Sequence, residues 1–235
     1  MPRSPVTRAA GTPAGARGRR GEAGSPQAEG MSWLAADRLA RECQSIRVHR
    51  HVHVTVRVRA HVWNLRSRRS LRVFEEALSG VLARPGFRVV HFSLQGDHVH
   101  LILEADGARA LARGVQALSI RVAKGLNRMM KRAGPVFEDR YHAHVLRTPR
   151  EVRNALAYVL LNHRSHLARA GERAAGGIDP FSSGAGFDGW TVNLADAGGK
   201  KFTAPPRSWL LRVGWRRHGL LSPDEIPAAA DRLAR

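Results

Sequence analysis

The alternation of residue types between Arg47 and Arg59 is the sequence feature that most constrains the fold of this 235-residue chain. Valine occupies every second position, and the positions between carry mostly histidine or arginine. The two sets are Val52, Val54, Val56 and Val58, and His51, His53, Thr55, Arg57 and Arg59. Because successive side chains of a strand point to opposite faces, this pattern predicts a strand with one buried and one basic face. Such a strand needs a sheet with a core on its valine side.

The sequence that follows alternates between helical and strand patterns. Apolar spacings of three and four residues predict helices, and short apolar or period-two runs predict strands. The predicted helices are Leu71–Ala83, Ala108–Lys131 and Pro149–His166, and the further strands are Phe87–Leu94, His98–Glu104 and His142–Arg147. The short turn Gln95-Gly96-Asp97 predicts a tight hairpin. The order β-α-β-β-α-β-α predicts an α+β fold with a ferredoxin-like antiparallel sheet and helices packed on one face.

The charge of the chain indicates an anionic partner. It has 39 Lys and Arg against 19 Asp and Glu, and residues 47–170 hold 23 of the basic and 8 of the acidic residues. The excess therefore lies mainly in the predicted folded part, which favours a nucleic-acid partner over the alternative of an anionic membrane surface. No apolar stretch is long enough for a membrane span or resembles a secretory signal, so we expect no membrane association and a cytoplasmic, nucleoid-associated protein.

The two ends of the chain differ in composition from its centre. Residues 1–30 are rich in Pro, Gly, Ala and Arg, which predicts a disordered basic tail, and residues 31–46 predict a short helix. We expect one folded domain over residues 31–170 and a partly ordered extension over residues 171–235. In that extension Trp209–Leu221 either clamps DNA by stacking or docks on the core through Trp209, Leu210, Val213 and Leu220. Cys43 is the one cysteine, which excludes a disulfide framework and a cysteine zinc site.

Two histidines of a predicted strand are candidate metal ligands. His98 and His100 are two residues apart, so both side chains project from the same face of the strand. Two adjacent imidazoles form half of a divalent-metal site. A pair of solvent-facing histidines would give the same pattern, and His51 and His53 show that this spacing occurs twice in the chain.

A tyrosine and an asparagine share one face of the last predicted helix. Tyr158 and Asn162 are four residues apart, the spacing of side chains that meet on a helix. Tyrosine serves as a covalent nucleophile in enzymes, and an asparagine oxygen is a candidate third metal ligand. The alternative is a core tyrosine whose hydroxyl is hydrogen-bonded to the asparagine.

Three segments together resemble the single-tyrosine HUH transposases, and within them the REP-associated tyrosine transposases. The segments are SLQGDHVHLILEA, RVAKGLNRMMKRAGPVFEDRYHAHVLRTPREVR and ALAYVLLNHRSH, and the resemblance covers about Val52 to His166. His98-Val99-His100 matches the family's motif of histidine, hydrophobic residue, histidine. Tyr158 and Asn162 match its tyrosine followed four residues later by Gln or Asn.

The resemblance implies a metal-dependent enzyme that nicks single-stranded DNA and transfers the strand. Tyr158 would form a 5′-phosphotyrosine, with Mg²⁺ or Mn²⁺ held by His98, His100 and Asn162. The substrate would be single-stranded or hairpin DNA, and the protein a monomer or a homodimer. The expected DNA contacts are Arg57, Arg59, Arg121, Lys124, Arg128, Arg140, Tyr141, Arg216 and Arg217.

Three alternatives stay open at this point. Tyr141 is the second of the two tyrosines and the rival nucleophile, although its position at a turn into a strand favours a structural or DNA-stacking role. The main alternative function is a non-catalytic binder of single-stranded or structured nucleic acid on the same fold. A rolling-circle initiator or relaxase would share the chemistry, but this chain has no tyrosine pair on its last predicted helix. A covalent DNA adduct that depends on Tyr158 distinguishes the enzyme from the binder.

Overall fold

A computed structural model describes residues 50–169, 171–172, 176–192 and 202–227 of the chain. The predicted tail over residues 1–30 and the predicted helix over residues 31–46 lie outside the described residues. The main elements are β1 (Arg50–Val58), α1 (Arg68–Ser79), β2 (Phe87–Leu94), β3 (His98–Ala105), α2 (Ala108–Met129), β4 (Phe137–Leu146), α3 (Pro149–Arg169) and α4 (Trp209–Arg212). Up to α3 they follow the predicted order β-α-β-β-α-β-α.

The four strands form one antiparallel sheet in the order β2-β3-β1-β4. The two central strands are therefore β1, which carries the alternating pattern, and β3, which carries the histidine pair. Thr55 is the register partner of His100, and Arg57 is that of His98. This register places the basic face of β1 and both histidines of β3 on the same side of the sheet.

Two hydrophobic cores cover opposite faces of this sheet. The first contains the four valines of β1, most of the apolar residues of β2 and β3, and the inner faces of α1 and α2. The second lies on the histidine face, where Val90, Ile102 and Leu146 pack against α3 and the chain that follows it. The α+β class and the antiparallel sheet are confirmed. The expectation of helices on one face is correct for α1 and α2 and wrong for α3, because apolar residues among the histidines give α3 a surface on the other face.

Helix α3 begins with a reciprocal cap. Thr148 Oγ1 accepts the backbone N–H of Glu151 at 3.2 Å, and the Glu151 carboxylate accepts the backbone N–H of Arg147 at 2.7 Å. Pro149 occupies the first helical position, where its missing N–H costs nothing. Similarly, Ser67 caps α1 by accepting from the backbone N–H of Ser70. None of the helices within the described ranges is long and apolar enough to cross a membrane.

Residues 202–227, here called the C-terminal segment, hold α3 against the sheet. The carboxylate of Glu104, on β3, accepts the backbone N–H groups of Arg207 and Ser208 at 2.9–3.1 Å. At its other end the segment pairs Glu225 with Arg153 of α3 in a bidentate contact at 2.7 and 2.9 Å, and Asp224 with Arg164 at 2.8 Å. The segment thus joins the central strand that carries the histidine pair to the outer side of α3.

The extension docks on the core, but with different residues from those predicted. Leu211, Trp215 and Leu221 are buried in the second core, and Leu210 packs partly against it. Trp209, Val213 and Leu220 are exposed instead, Trp209 by 49%. The physical reason is that the chain does not continue as one helix. It leaves α4 at Val213, where φ is −130°, and enters a short 3₁₀ turn over Gly214–His218.

Candidate functional site

The histidine pair lies at the centre of the sheet with its ring nitrogens converging. His98 Nε2 and His100 Nε2 are 3.0 Å apart, and the ring centroids are separated by 4.6 Å. The carboxylate of Asp97, at the hairpin turn, lies 2.6 Å from His98 Nδ1 and accepts a hydrogen bond from it. A histidine whose Nδ1 carries the proton keeps the Nε2 lone pair for a ligand, so Asp97 orients His98 in the manner of an outer-shell carboxylate.

His100 is held by two side chains of β1. Its Nδ1 lies 3.0 Å from Thr55 Oγ1 and 3.3 Å from His53 Nε2. Thr55 is its direct cross-strand partner, and His53 is two residues further along the same face of β1. His100 and His53 are both buried. The contacts of Nδ1 leave Nε2 of His100 facing the same point as Nε2 of His98.

Helix α3 brings three polar side chains to the histidine pair, at intervals of four residues. Tyr158 packs edge-on against His100 with ring centroids 4.9 Å apart and against His53 at 5.7 Å. Asn162, which is buried, places its amide Nδ2 3.1 Å from His100 Nε2. The same amide lies 3.3 Å from Nε2 of His166, one turn further on. A spacing of four residues aligns these side chains on one face of the helix.

The separations among these groups suit adjacent ligands of one small divalent cation. Around an octahedral ion with bonds of about 2.1 Å, ligands at right angles lie about 3.0 Å apart. His100 Nε2 lies 3.0 Å from His98 Nε2 and 3.1 Å from Asn162 Nδ2. A half-turn of the Asn162 amide exchanges Nδ2 for Oδ1 and presents an oxygen ligand at the same place. Across the described ranges, no three His, Cys, Asp or Glu side chains form a metal group by themselves, and the assignment of Asn162 as a third ligand stays a prediction.

The electrostatics of the site favour uncharged imidazoles. Burial lowers the pKa of His100 well below its usual range, and the three neighbouring histidines lower it further. Burial also lowers the pKa of His53 to about 4, with a smaller contribution from His144 on β4. Burial is the main cause of the lowered pKa of His166 as well. At neutral pH these rings are therefore free to accept hydrogen bonds or to ligate a cation without first losing a proton.

The structure separates the predicted DNA contacts into groups. Arg57 is exposed beside His98, with a guanidinium nitrogen 3.8 Å from Asp97, and Arg59 donates to the carbonyl of Phe137. Arg121, Lys124 and Arg128 are exposed on α2, which covers the opposite face of the sheet from the histidine pair. Their contact with DNA stays a prediction, but they do not join the site.

The remaining predicted contacts have different outcomes. Tyr141 is 8% exposed and belongs to the first core, so of its two predicted roles the structural one fits and DNA stacking does not, because the ring is buried. Arg216 lies over the Trp215 ring and pairs with Asp188 at 2.8 Å. Arg217 lies over the exposed ring of Trp209 at 4.9 Å. The side chain of Arg140 lies outside the described residues.

Three residues of the site were not predicted from the sequence. His53 and Thr55 belong to the alternating pattern of β1, which placed them on the basic face, but only the strand register shows that they meet His100. His166 follows Asn162 by four residues, the same interval that relates Asn162 to Tyr158. That repeated interval was the available signal for His166.

The fold and this site together define a transposase-like domain. Residues 44–160 match the family model described as "Transposase IS200 like", so the domain belongs to the IS200-like transposase family. The resemblance found in the sequence is thereby confirmed, and family membership makes DNA the expected partner. No curated protein matches the chain.

Two solved structures are similar to the chain. One is a REP-associated tyrosine transposase bound to a REP hairpin, with 15% sequence identity, a TM-score of 0.41, and coverage of 50% of this chain and 68% of that chain. The other is a Deinococcus radiodurans R1 protein assigned as a transposase, with 14% identity, a TM-score of 0.37, and coverage of 56% of this chain and 96% of that chain.

Proposed function

We propose that this protein cuts and rejoins single-stranded DNA through Tyr158, with a divalent ion, Mg²⁺ or Mn²⁺, held by His98, His100 and Asn162. One observation carries the proposal: Tyr158 packs against His100 while Asn162, one helical turn away, contacts the Nε2 atom that His100 turns toward His98. A nucleophile and a ligand set are thus held together by one helix and one strand.

The proposed reaction is a transesterification at phosphorus. Tyr158 Oη attacks the scissile phosphate, a bond forms between Oη and phosphorus, and the bond from phosphorus to the 3′ oxygen breaks. The proton lost by the phenol is matched by the one that the departing 3′ oxygen gains. A 5′-phosphotyrosine and a free 3′-OH result, so the energy of the phosphodiester is retained for rejoining. When bound, the ion supplies Lewis-acid polarisation of the phosphate.

The charge around the site supports a single-stranded or hairpin DNA substrate. Arg57 is the cross-strand partner of His98 and lies exposed at the rim of the site, where a phosphate next to the scissile one would pass. Arg59 follows directly after the end of β1, where it donates to the carbonyl of Phe137. Phosphate contacts of this kind position a strand without reading its sequence. We therefore propose that the DNA backbone runs along the basic face of β1 toward Tyr158.

The same geometry supports an enzyme whose active site is complete within one chain. Tyr158, Asn162 and the histidine pair lie together within one chain, and the C-terminal segment ties α3 to the sheet of that chain. We propose a catalytic domain over residues 31–170 that acts as a monomer or a homodimer. Residues 171–235 then form an extension whose described part stabilises α3 and presents Arg217 and Trp209 at the surface.

The test is a covalent adduct on a denaturing gel. Purified protein is mixed with Mn²⁺ and single-stranded hairpin DNA from the flanks of its own gene, labelled 3′ of the cut because that fragment stays on the tyrosine. We expect a protein–DNA band that is lost with EDTA and with Tyr158→Phe. Tyr141→Phe is the matched control, since it removes the same hydroxyl from a ring on the opposite face of the sheet, and it should keep the band.

Two outcomes would contradict the proposal. A band that survives Tyr158→Phe and disappears with Tyr141→Phe would move the nucleophile to Tyr141. Tight DNA binding without an adduct on any hairpin substrate would favour the non-catalytic nucleic-acid binder instead.

A further inference from the structure

The two histidines of β1, His51 and His53, have no role in the reaction as proposed. His53 nevertheless contacts both the ligand His100 and the nucleophile Tyr158. His53 Nε2 lies 3.3 Å from His100 Nδ1, and the His53 ring meets the Tyr158 ring edge-on, with centroids 5.7 Å apart and an interplanar angle of 74°. The His100 ring also contacts Tyr158, with centroids 4.9 Å apart. His53 therefore lies between the nucleophile and a ligand.

The contact with His100 has a direct consequence for ligation. A histidine that ligates through Nε2 carries its remaining proton on Nδ1, and the partner of that N–H fixes the orientation of the ring. His100 Nδ1 faces two groups that are able to accept a hydrogen bond, Thr55 Oγ1 at 3.0 Å and His53 Nε2 at 3.3 Å. A hydroxyl both donates and accepts, whereas the free ring nitrogen of a neutral histidine only accepts. The presence of His53 thus favours the tautomer that leaves Nε2 of His100 available.

The contact with Tyr158 is an edge-to-face contact between the two rings. An edge-to-face pair of aromatic rings restricts the orientation of both rings beyond the effect of burial alone. Because His53 is buried on a central strand of the sheet, it provides a fixed surface against which the half-buried ring of Tyr158 rests. A phenol held in this way keeps its oxygen at a constant distance from the ligand set.

We infer that His53 is a positioning residue with two separable roles: its Nε2 orients His100 for metal binding, and its ring orients Tyr158 for attack. This inference rests on the proposed function, but its first half is measurable without DNA. The two roles belong to different parts of the side chain, so substitutions can remove one and keep the other.

The experiment compares two substitutions of His53 in the full-length protein. His53→Phe keeps a ring against Tyr158 and removes the nitrogen, and His53→Gln keeps a hydrogen-bonding group and removes the ring. Mn²⁺ affinity is measured by titration of the electron paramagnetic resonance signal of free Mn²⁺, and the adduct rate is measured at saturating Mn²⁺. His142→Phe is the matched control. His142 is an exposed histidine of β4, paired with Thr55 and therefore on the same face of the sheet as His53. Thermal unfolding verifies that each variant folds, and His53→Leu replaces His53→Phe if that variant does not.

The two substitutions should have opposite effects on Mn²⁺ affinity and on the adduct rate. His53→Phe lowers Mn²⁺ affinity by about 10- to 100-fold, as is typical for loss of an outer-shell partner, and keeps the adduct rate once Mn²⁺ is saturating. His53→Gln keeps most of the affinity and lowers that rate. Equal affinity in His53→Phe and the unaltered protein would overturn the inference, as would equal losses of affinity in both variants.

Failure of the proposed function gives a different pattern. Mn²⁺ binding that depends on His100 and on His53, without any DNA adduct, would refute the proposed reaction and retain the role of His53 at the metal site. A Tyr158-dependent adduct with unchanged Mn²⁺ affinity in His53→Phe would support the proposed reaction and refute the role of His53 at the metal site. Absence of Mn²⁺ binding by the unaltered protein would overturn both.

Discussion

The stability of this protein should fall between pH 7 and pH 5 partly because of a histidine that does not belong to the candidate metal site. His91, on β2, packs its ring edge-on against Phe187 at 5.2 Å and has its Nδ1 3.1 Å from Ser183 Oγ. Burial lowers the pKa of His91 to about 4, and Asp188 opposes that shift only partly. The folded protein therefore disfavours a protonated ring that the unfolded chain, with a pKa of about 6.5, accepts.

The sign and size of the effect follow from these two pKa values. Below pH 6.5 the unfolded state binds more protons than the folded state, so stability from His91 is present above pH 6.5 and is lost as the pH falls toward 4. The full difference between the two pKa values gives a loss of about 2 kcal/mol between pH 7 and pH 5. Part of the ring reaches the surface, so we expect about 1–2 kcal/mol.

Urea unfolding at pH 7 and pH 5 measures this contribution. His91→Asn retains a hydrogen-bonding group toward Ser183 and does not titrate in this range, so its free energy of unfolding should fall by about 1–2 kcal/mol less than that of the unaltered protein. Acid also titrates other groups, but it does so in both proteins, and the difference between them isolates His91. Equal losses of stability in the two proteins would refute the reasoning.

Two further predictions concern packing and DNA binding. Gly114→Ala should destabilise the protein by about 1–3 kcal/mol although alanine favours helices, because a Cβ there would lie 2.1 Å from the buried Phe87 ring. Thermal unfolding tests this. An unchanged or higher unfolding midpoint would show that α2 can shift away from Phe87 at no cost in stability. Arg57→Ala should reduce the salt dependence of single-stranded DNA binding by about 0.7 in the slope of log K against log salt concentration, the value for one phosphate contact. Arg121→Ala, on the other side of the sheet, is the comparison, and an effect at least as large there would contradict a DNA path along β1.

The sequence predicted the elements well and their partners less well. Alternation along β1 is a local property, so it identified the strand and its valine core before any neighbour was known. The register between β1 and β3 depends on how the whole sheet assembles, so the contact of His53 and Thr55 with His100 was not predictable from spacing. The position of α3 on the histidine face was missed for a similar reason, since it depends on a few apolar residues, such as Ile102, on a face that is otherwise polar.

The site shows the same division between local and long-range information. The intervals from His98 to His100 and from Tyr158 to Asn162 lie within single elements. The structure places Tyr158 and Asn162 next to His100, and their roles in the reaction stay predictions. The docking residues of the extension were predicted from a continuous helical period. That period does not apply where the chain changes from α4 to a 3₁₀ turn, and Trp215 is buried while Trp209 is exposed.

The C-terminal segment also bears on the order of events in strand exchange. The segment contacts Glu104 on β3 at one end and Arg153 and Arg164 on α3 at the other, so the contacts at one of these ends must break before α3 can leave the sheet. A DNA end attached to Tyr158 would then stay where cleavage left it, and the tyrosine would not carry it elsewhere. The acceptor strand would have to travel to that fixed end, and the geometry of joining would be set by how the DNA itself folds back.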